Sequence, residues 1–425
     1  MIMKRLFPLL GILAVSMSCT NLEVDNNAFT ESTQQNVSSK YRSLQEAVSI
    51  AQDAITRFDK DGMTKVGARR EIDMSDIKYS VRPSTKSESG DTLMYIVNFE
   101  DEKGFAMVAR NRQSPDLIAF VENGNYDGKR SDNPGFNIYM DEITTSLASV
   151  NDMPELKPIA TQYKIVPQED QVYTREPLIV STWSQGNPYN YYCPVKNNKK
   201  TAVGCVATSI ALAMSAFRFP AEISLTFSDA PMNSVTLDWN GMIANTNTDH
   251  VALLSRQIGK KVSMRYGVDS SGQSSSSLRG YAKSCLRSFG YTCDEYQNYN
   301  LSIMRTSLLN DNPVLIRASD TDNNGHAWVV DGYQYIVKED KIYKQEDAHL
   351  VWRECGYEKD YLTYLHMNYG WGLGYIGYYL TEKISEGDSP ISYGSPYYNC
   401  DVNIFTGELG LDQDVSIVPN IHPSF

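Results

Sequence analysis

The stretch 203–217 constrains this chain more than any other. Val203-Gly204-Cys205 runs into a segment whose Val206, Ile210, Met214 and Phe217 fall on one face at helical spacing, and Pro220 closes it. Cys205 therefore sits at or just before a helix N-terminus. The unpaired N–H groups and the dipole there stabilise a thiolate, the reactive form of cysteine. A small buried cysteine packed under a helix satisfies the same pattern. Further along, 314–317, 327–330, 333–337 and 361–367 read as strands, and Asp331-Gly332 between two of them is a two-residue hairpin signal. A helical front half and a β-rich back half imply two lobes with a cleft between them.

Upstream, the chain opens on an export signal. Lys4 and Arg5 precede the apolar run 6–15, and Ser16-Met17-Ser18 lead to Cys19. The run is shorter than the roughly 20 apolar residues a bilayer span needs. A cysteine at the expected cleavage point resembles a bacterial lipoprotein signal. That implies a segment 1–19 ending in a lipidated Cys19, with the chain anchored at a membrane or cell surface, or released after processing. An ordinary secretory signal with a chance cysteine is the alternative. Residues 20–40, rich in Asn, Ser, Thr and Gln, read as a flexible tether. Over 41–175, helical spacing at 43–58 and 137–150 and strand-like runs at 92–99, 106–109 and 117–121 describe a small α+β unit. It ends in a polar stretch from Gln168 to Pro177, the composition of an exposed and cuttable linker. The second unit spans 176–425.

With 425 residues, 41% hydrophobic and 21% charged, two domains with ordinary cores are within reach. A net charge of -12 without a long basic run argues against nucleic acid as a partner. Setting aside a lipidated Cys19 and a free Cys205 leaves Cys193, Cys285, Cys293, Cys355 and Cys400. That number is odd, so no dense disulfide framework is implied. No Cys-x-x-Cys pair points to a metal.

Three further residues could join Cys205 in one reaction centre. His326 follows Asn323-Asn324-Gly325 at the start of a strand, where a base can reach across a cleft. His250, His349 and His422 lie in polar surroundings, and His366, close to Asn368, is the stronger rival. Asn368 could hold the imidazole by its second N–H, with Trp371 shielding that bond from water. Gln185 could donate into an oxyanion hole beside the Cys205 N–H. Each also reads alone as a surface histidine, an Asn-Tyr-Gly turn or a Ser-Gln-Gly turn.

Taken together these stretches resemble the streptopain family of papain-like cysteine peptidases. The matching pieces are 185–190 (QGNPYN), 204–208 (GCVAT), 325–333 (GHAWVVDGY) and 368–372 (NYGWG), in the family's order, with 237–240 (LDWN) and Tyr266-Gly267 also similar. The family usually has Trp where this chain has Tyr369. The resemblance implies an α+β fold, a papain-like two-lobed catalytic domain preceded by a small α+β pro-domain. It implies Cys205 as nucleophile, His326 as base, Asn368 as orienting residue and Gln185 as oxyanion donor. Trp371, Tyr266 and Gly267 are then expected to touch substrate. Residues 104–109 and 117–120 resemble the family's inhibitory pro-segment. The expected protein is a zymogen that cuts proteins or peptides, inhibited by its own pro-domain, with no metal or other cofactor. An acyltransferase on the same residues, and a non-catalytic ligand-binding lipoprotein on a peptidase-like fold, are the other readings.

Overall fold

The computed structural model describes residues 40–59, 69–81, 92–153, 162–267, 275–277, 280–319, 325–346, 351–388, 402–405 and 415–424. The export signal with Cys19, the tether through residue 39, the polar approach 320–324 to His326, His349 and Cys400 lie outside them.

Helix α1 (Leu44–Phe58) begins at a capping box. Ser43 Oγ accepts from the Glu46 N–H at 3.3 Å, and Glu46 Oε2 accepts from the Ser43 N–H at 2.7 Å. Such a cap is worth about 1 kcal/mol. The helix buries Ala47, Ala51, Ala54 and Ile55, one stripe of its surface. They cover an antiparallel run of β1 (Ile72–Val81), β2 (Thr92–Phe99), β3 (Phe105–Ala109) and β4 (Leu117–Val121). Polar β1 lacks the apolar alternation that marks a strand in sequence. Helix α2 (Pro134–Asn151) starts three residues before its apolar pattern does. Pro134 takes the first helical position and Asn133 Oδ1 accepts the Phe136 N–H at 3.1 Å.

The polar stretch expected as an exposed linker is exposed, and it is also paired as strands. It forms β5 (Tyr163–Pro167) and β6 (Gln171–Arg175), which are largely exposed yet pair along one long strand. Next come the helices of one lobe: α3 (Cys205–Phe217), α4 (Trp239–Ile243), α5 (Thr248–Lys261) and α6 (Tyr281–Ser288). After α7 (Leu301–Leu309) the chain turns to strands: β7 (Val314–Ser319), β8 (Gly325–Glu346), β9 (Val351–Asn368), β10 (Gly377–Gly387) and β11 (Ser416–Val418).

The main sheet runs β1-β2-β3-β4-β10-β9-β8-β7-β11, antiparallel throughout. Its middle joins the two halves of the sequence: Ala119, Phe120 and Val121 pair with Tyr379, Tyr378 and Gly377. The N-terminal unit therefore shares a core with the back sheet. Buried Ile55, Phe120 and Phe136 belong to one apolar cluster with Ile316, Trp328 and Tyr379. The helical lobe has its own cluster around Ile210, Leu253 and Leu286. Alternation along β7 and β8 serves both: Ile316 and Trp328 face the first cluster, Leu315 and Val329 the second.

Asp331-Gly332 does not turn the chain, contrary to the hairpin signal. β8 is continuous, with an irregularity in its pairing between Val330 and Gly332. Asp331 is fully buried, and its carboxylate accepts the Ile179 N–H at 2.8 Å and meets His366 Nδ1 at 2.6 Å. At Gly332 a Cβ would stand 2.8 Å from the Arg175 carbonyl oxygen. Non-local packing dictates both residues.

Candidate active site

Cys205 is the first residue of α3. Its helix cap, Gly204, has φ +94°, a conformation that glycine takes without strain. A Cβ there would stand 2.6 Å from Met264 Cε, so the glycine also admits the segment behind it. Ser275 Oγ pins that segment to the Ala202 carbonyl at 2.7 Å. No side chain caps α3, so its first-turn N–H groups stay available to the thiol.

The five described cysteines are free thiols, and their environments differ. Burial pushes Cys193 up to about 11 and Cys285 up to about 12. Cys293 and Cys355 are also raised by burial. Burial acts the same way on Cys205, yet its thiol ends below the usual range. The hydrogen bond and charge of His326, with the backbone N–H groups of Ala327 and Val206, outweigh the burial.

His326, the second residue of β8, is 2% exposed. Its Nε2 lies 3.0 Å from the Tyr369 carbonyl oxygen. A carbonyl can only accept, so Nε2 carries the proton and Nδ1 of the neutral ring is left as the acceptor. Trp371 stands edge-on to the ring at 5.6 Å and Trp328 is stacked at 6.2 Å. Asn368 does not reach the imidazole. Its Nδ2 donates to the Ser181 carbonyl and its Oδ1 accepts the Gly370 N–H, both at 3.0 Å. The expected bond from Asn368 is thus replaced by one from the main chain of the next residue, while Asn368 fixes the loop that presents that carbonyl.

Gln185 is brought close by its neighbours. Ser184 bridges to Trp371, and the Gln185 carbonyl accepts the Val203 N–H at 2.9 Å, two residues before Cys205. Buried Trp183 anchors the turn by donating to the Met242 carbonyl at 3.1 Å. The Gln185 side chain is half-buried, so its amide can be reached by a ligand. Tyr266 departs from its expected place. Its hydroxyl lies against Gly259 of α5 and its ring under the Arg256 guanidinium at 5.0 Å, inside the helical lobe rather than the cleft. Gly267 follows it at φ +66°, and the loop beyond 267 lies outside the described residues.

The described rival histidines stand elsewhere. His250 Nδ1 accepts the Asp238 N–H at 3.1 Å, His422 meets the Pro423 carbonyl, and His366 is held by Asp331. A contact invisible in the sequence covers His326 instead. A Cβ on Gly135, in the first turn of α2, would stand 2.6 Å from His326 Cδ2 and 2.5 Å from Tyr369 Cδ1. The N-terminal unit therefore lies directly on the imidazole.

A lowered thiol at a helix start, hydrogen-bonded to a histidine from a sheet, is the arrangement of papain-like cysteine peptidases. Residues 183–379 match the Peptidase C10 family, and the enzyme is a cysteine-type peptidase. Residues 34–147 match the Spi protease inhibitor family. Streptopain of Streptococcus pyogenes is 23% identical over 375 residues, covering 78% of this chain and 83% of that protein. The thiol protease/hemagglutinin PrtT of Porphyromonas gingivalis is 23% identical over 369 residues, 79% of this chain and 39% of that protein. A solved fragment of Prevotella intermedia prointerpain A is 20% identical with a TM-score of 0.45, covering 82% of this chain and 99% of the fragment.

Proposed function

We propose that this chain is an exported endopeptidase made as a zymogen, with Cys205 as nucleophile and His326 as its base. The carrying observation is the contrast among the cysteines: Cys205 is lowered by His326, and the other four described thiols are raised by burial. In this reading the thiol proton passes to His326 Nδ1 and the sulfur attacks the scissile carbonyl carbon. The Cys205 N–H and the Gln185 amide receive the oxyanion. As the carbonyl re-forms, the C–N bond breaks and the imidazolium gives its proton to the departing amine. Water then hydrolyses the thioester with His326 again as base. The Tyr369 carbonyl holds the ring through Nε2–H, Asn368 holds that loop, and Trp371 lines the cleft beside it.

Supporting the zymogen reading, the stretch similar to Spi protease inhibitors includes Gly135, which lies on the imidazole. Loss of the N-terminal unit would uncover the ring. The segment ending in Cys19 supports export and lipid anchoring.

A thiol-directed electrophile on matured protein should label Cys205 in preference to the other cysteines, and peptides should be hydrolysed. Cys205→Ala should end cleavage and leave the precursor full length. Normal self-processing of purified Cys205→Ala would remove the autocatalytic part. With a primary amine present, hydrolysis should outrun transfer; the reverse would make the enzyme an acyltransferase.

A further inference from the structure

A cavity of about 30 Å³ opens beside the reaction centre, lined by Val206 next to Cys205 and Ala327 next to His326. It holds roughly two water-sized positions. Its walls are mostly apolar, and no acidic side chain is among the described residues lining it. The hydroxyl protons of its serines are already committed. Ser277 donates to the Val262 carbonyl at 2.6 Å, Ser209 to the Val206 carbonyl at 3.0 Å and Ser416 to the Tyr296 hydroxyl at 2.8 Å.

Arg317 is the exception. It pairs across β7 and β8 with Ala327, so both side chains share the face that lines this cavity. Its guanidinium reaches toward the strand end that carries His326: Nη2 lies where a Cβ on Gly325 would be 2.7 Å away. Its Nη1 is buried and has no hydrogen-bond partner, and the guanidinium pairs with no carboxylate among the described residues. Arg317 as a whole is half-buried, but Nη1 is cut off from water, and a guanidinium N–H in that position normally finds an acceptor to replace its lost hydration. In a chain of net charge -12, a guanidinium that pairs with no carboxylate among the described residues, on a cavity wall shared with Val206 and Ala327, is out of pattern.

We propose that Arg317 is a specificity-determining residue that selects substrates bearing an aspartate or glutamate close to the scissile bond. This rests on the peptidase reading. A carboxylate supplies two acceptor oxygens and the missing charge, while its methylene stem suits the apolar walls. A neutral amide supplies one acceptor and no charge, and an aliphatic side chain leaves Nη1 unsatisfied.

The test uses the matured enzyme and peptides that differ only by Glu, Gln or Leu at each position flanking the cleaved bond. At one position Glu should exceed Leu by about 10- to 100-fold in kcat/KM. Arg317→Gln should bring that ratio near one, and Arg317→Lys, which keeps the charge without the fork, should retain part of it. Equal ratios in wild type, R317K and R317Q, or no acidic preference in wild type that still cleaves other peptides, would overturn this inference alone. A chain that cleaves no peptide and does not label at Cys205 would remove the peptidase reading with it.

Discussion

Two histidines lie buried on neighbouring strands of one sheet, His326 on β8 and His366 on β9, at 2% and 1% exposure. Their partners separate them. His326 has a neutral carbonyl on Nε2, and its ring hydrogen-bonds the Cys205 thiol. His366 has the Asp331 carboxylate 2.6 Å from Nδ1 and the Glu122 carboxylate 3.4 Å from Nε2. The Asp331 hydrogen bond braces the ring at Nδ1, and the Glu122 carboxylate stands beside the Nε2 edge without hydrogen-bonding it. A single carbonyl orients a ring and leaves one nitrogen to exchange a proton. The N-terminal unit covers both, but with different chemistry: Gly135 lies on His326 by shape alone, whereas Glu122 sets a carboxylate 3.4 Å from His366 Nε2.

The largest expected effect tests that division directly. His326→Ala should lower kcat/KM by about 10²–10⁴-fold, the usual worth of a general base. His366→Gln, assayed on folded protein, should stay within roughly 10-fold of wild type. Asn368→Ala, whose amide holds the loop rather than the ring, should fall between them, at about 10-fold. If His366→Gln proved the more damaging, the two histidines would have to exchange roles.

Stability should separate the two histidines the other way, through the carboxylate that holds His366. Asp331→Ala strands the Ile179 N–H and one nitrogen of His366 in the core. Leaving a buried hydrogen-bonding group without its partner costs about 1–3 kcal/mol for each group. Denaturant unfolding in a Cys205→Ala background, which excludes self-cleavage, should show that loss, while His326→Ala should cost less. Equal losses would mean that both rings are merely structural.

How far the sequence reveals this arrangement depends on how local each requirement is. Cys205 is legible because its demands lie within a few residues: Gly204 for the backbone, α3 for the dipole. His326 is legible as part of a motif. The residue that holds it is not, because Asn368 and Tyr369 are adjacent. A side-chain oxygen of one and a main-chain oxygen of the next offer the same acceptor, and only the fold decides between them. Asp331-Gly332 reads as a turn because its true partner, the Ile179 N–H, lies 152 residues away. Gly135 and Arg317 carry no local signal. One matters through the space it leaves, the other through a pairing it lacks.

The shape-based cover on His326 can be broken without touching the ring. Gly135→Leu forces α2 off His326 and Tyr369, since even a Cβ stands within 2.6 Å of both. In the full-length precursor, an electrophile should alkylate Cys205 several-fold faster in this variant than in wild type. The matured forms of both should react alike once the N-terminal unit has left. Identical rates in the two precursors would mean that α2 does not guard the site.

The smallest effect concerns the same helix and sharpens the contrast between the two covers. Glu142 of α2 is 4% exposed, and its Oε1 has no hydrogen-bond partner. Burial, with the nearby charge of Asp141 adding to it, pushes its carboxyl up from 4.5 to about 7. The folded state therefore holds a proton that the unfolded chain releases across this window. That stabilisation is fully present below pH 4.5 and is lost as pH rises to about 7. Its size is about 1–3 kcal/mol. Glu142→Gln keeps the shape and removes the titration. Unfolding midpoints of Cys205→Ala precursors, with and without Glu142→Gln, should thus diverge between pH 4.5 and 7, the glutamine form gaining at the upper end. Parallel curves across that range would remove Glu142 from the account. Divergence would show that the neutral cover over His326 weakens towards neutral pH through a carboxyl that never touches the ring.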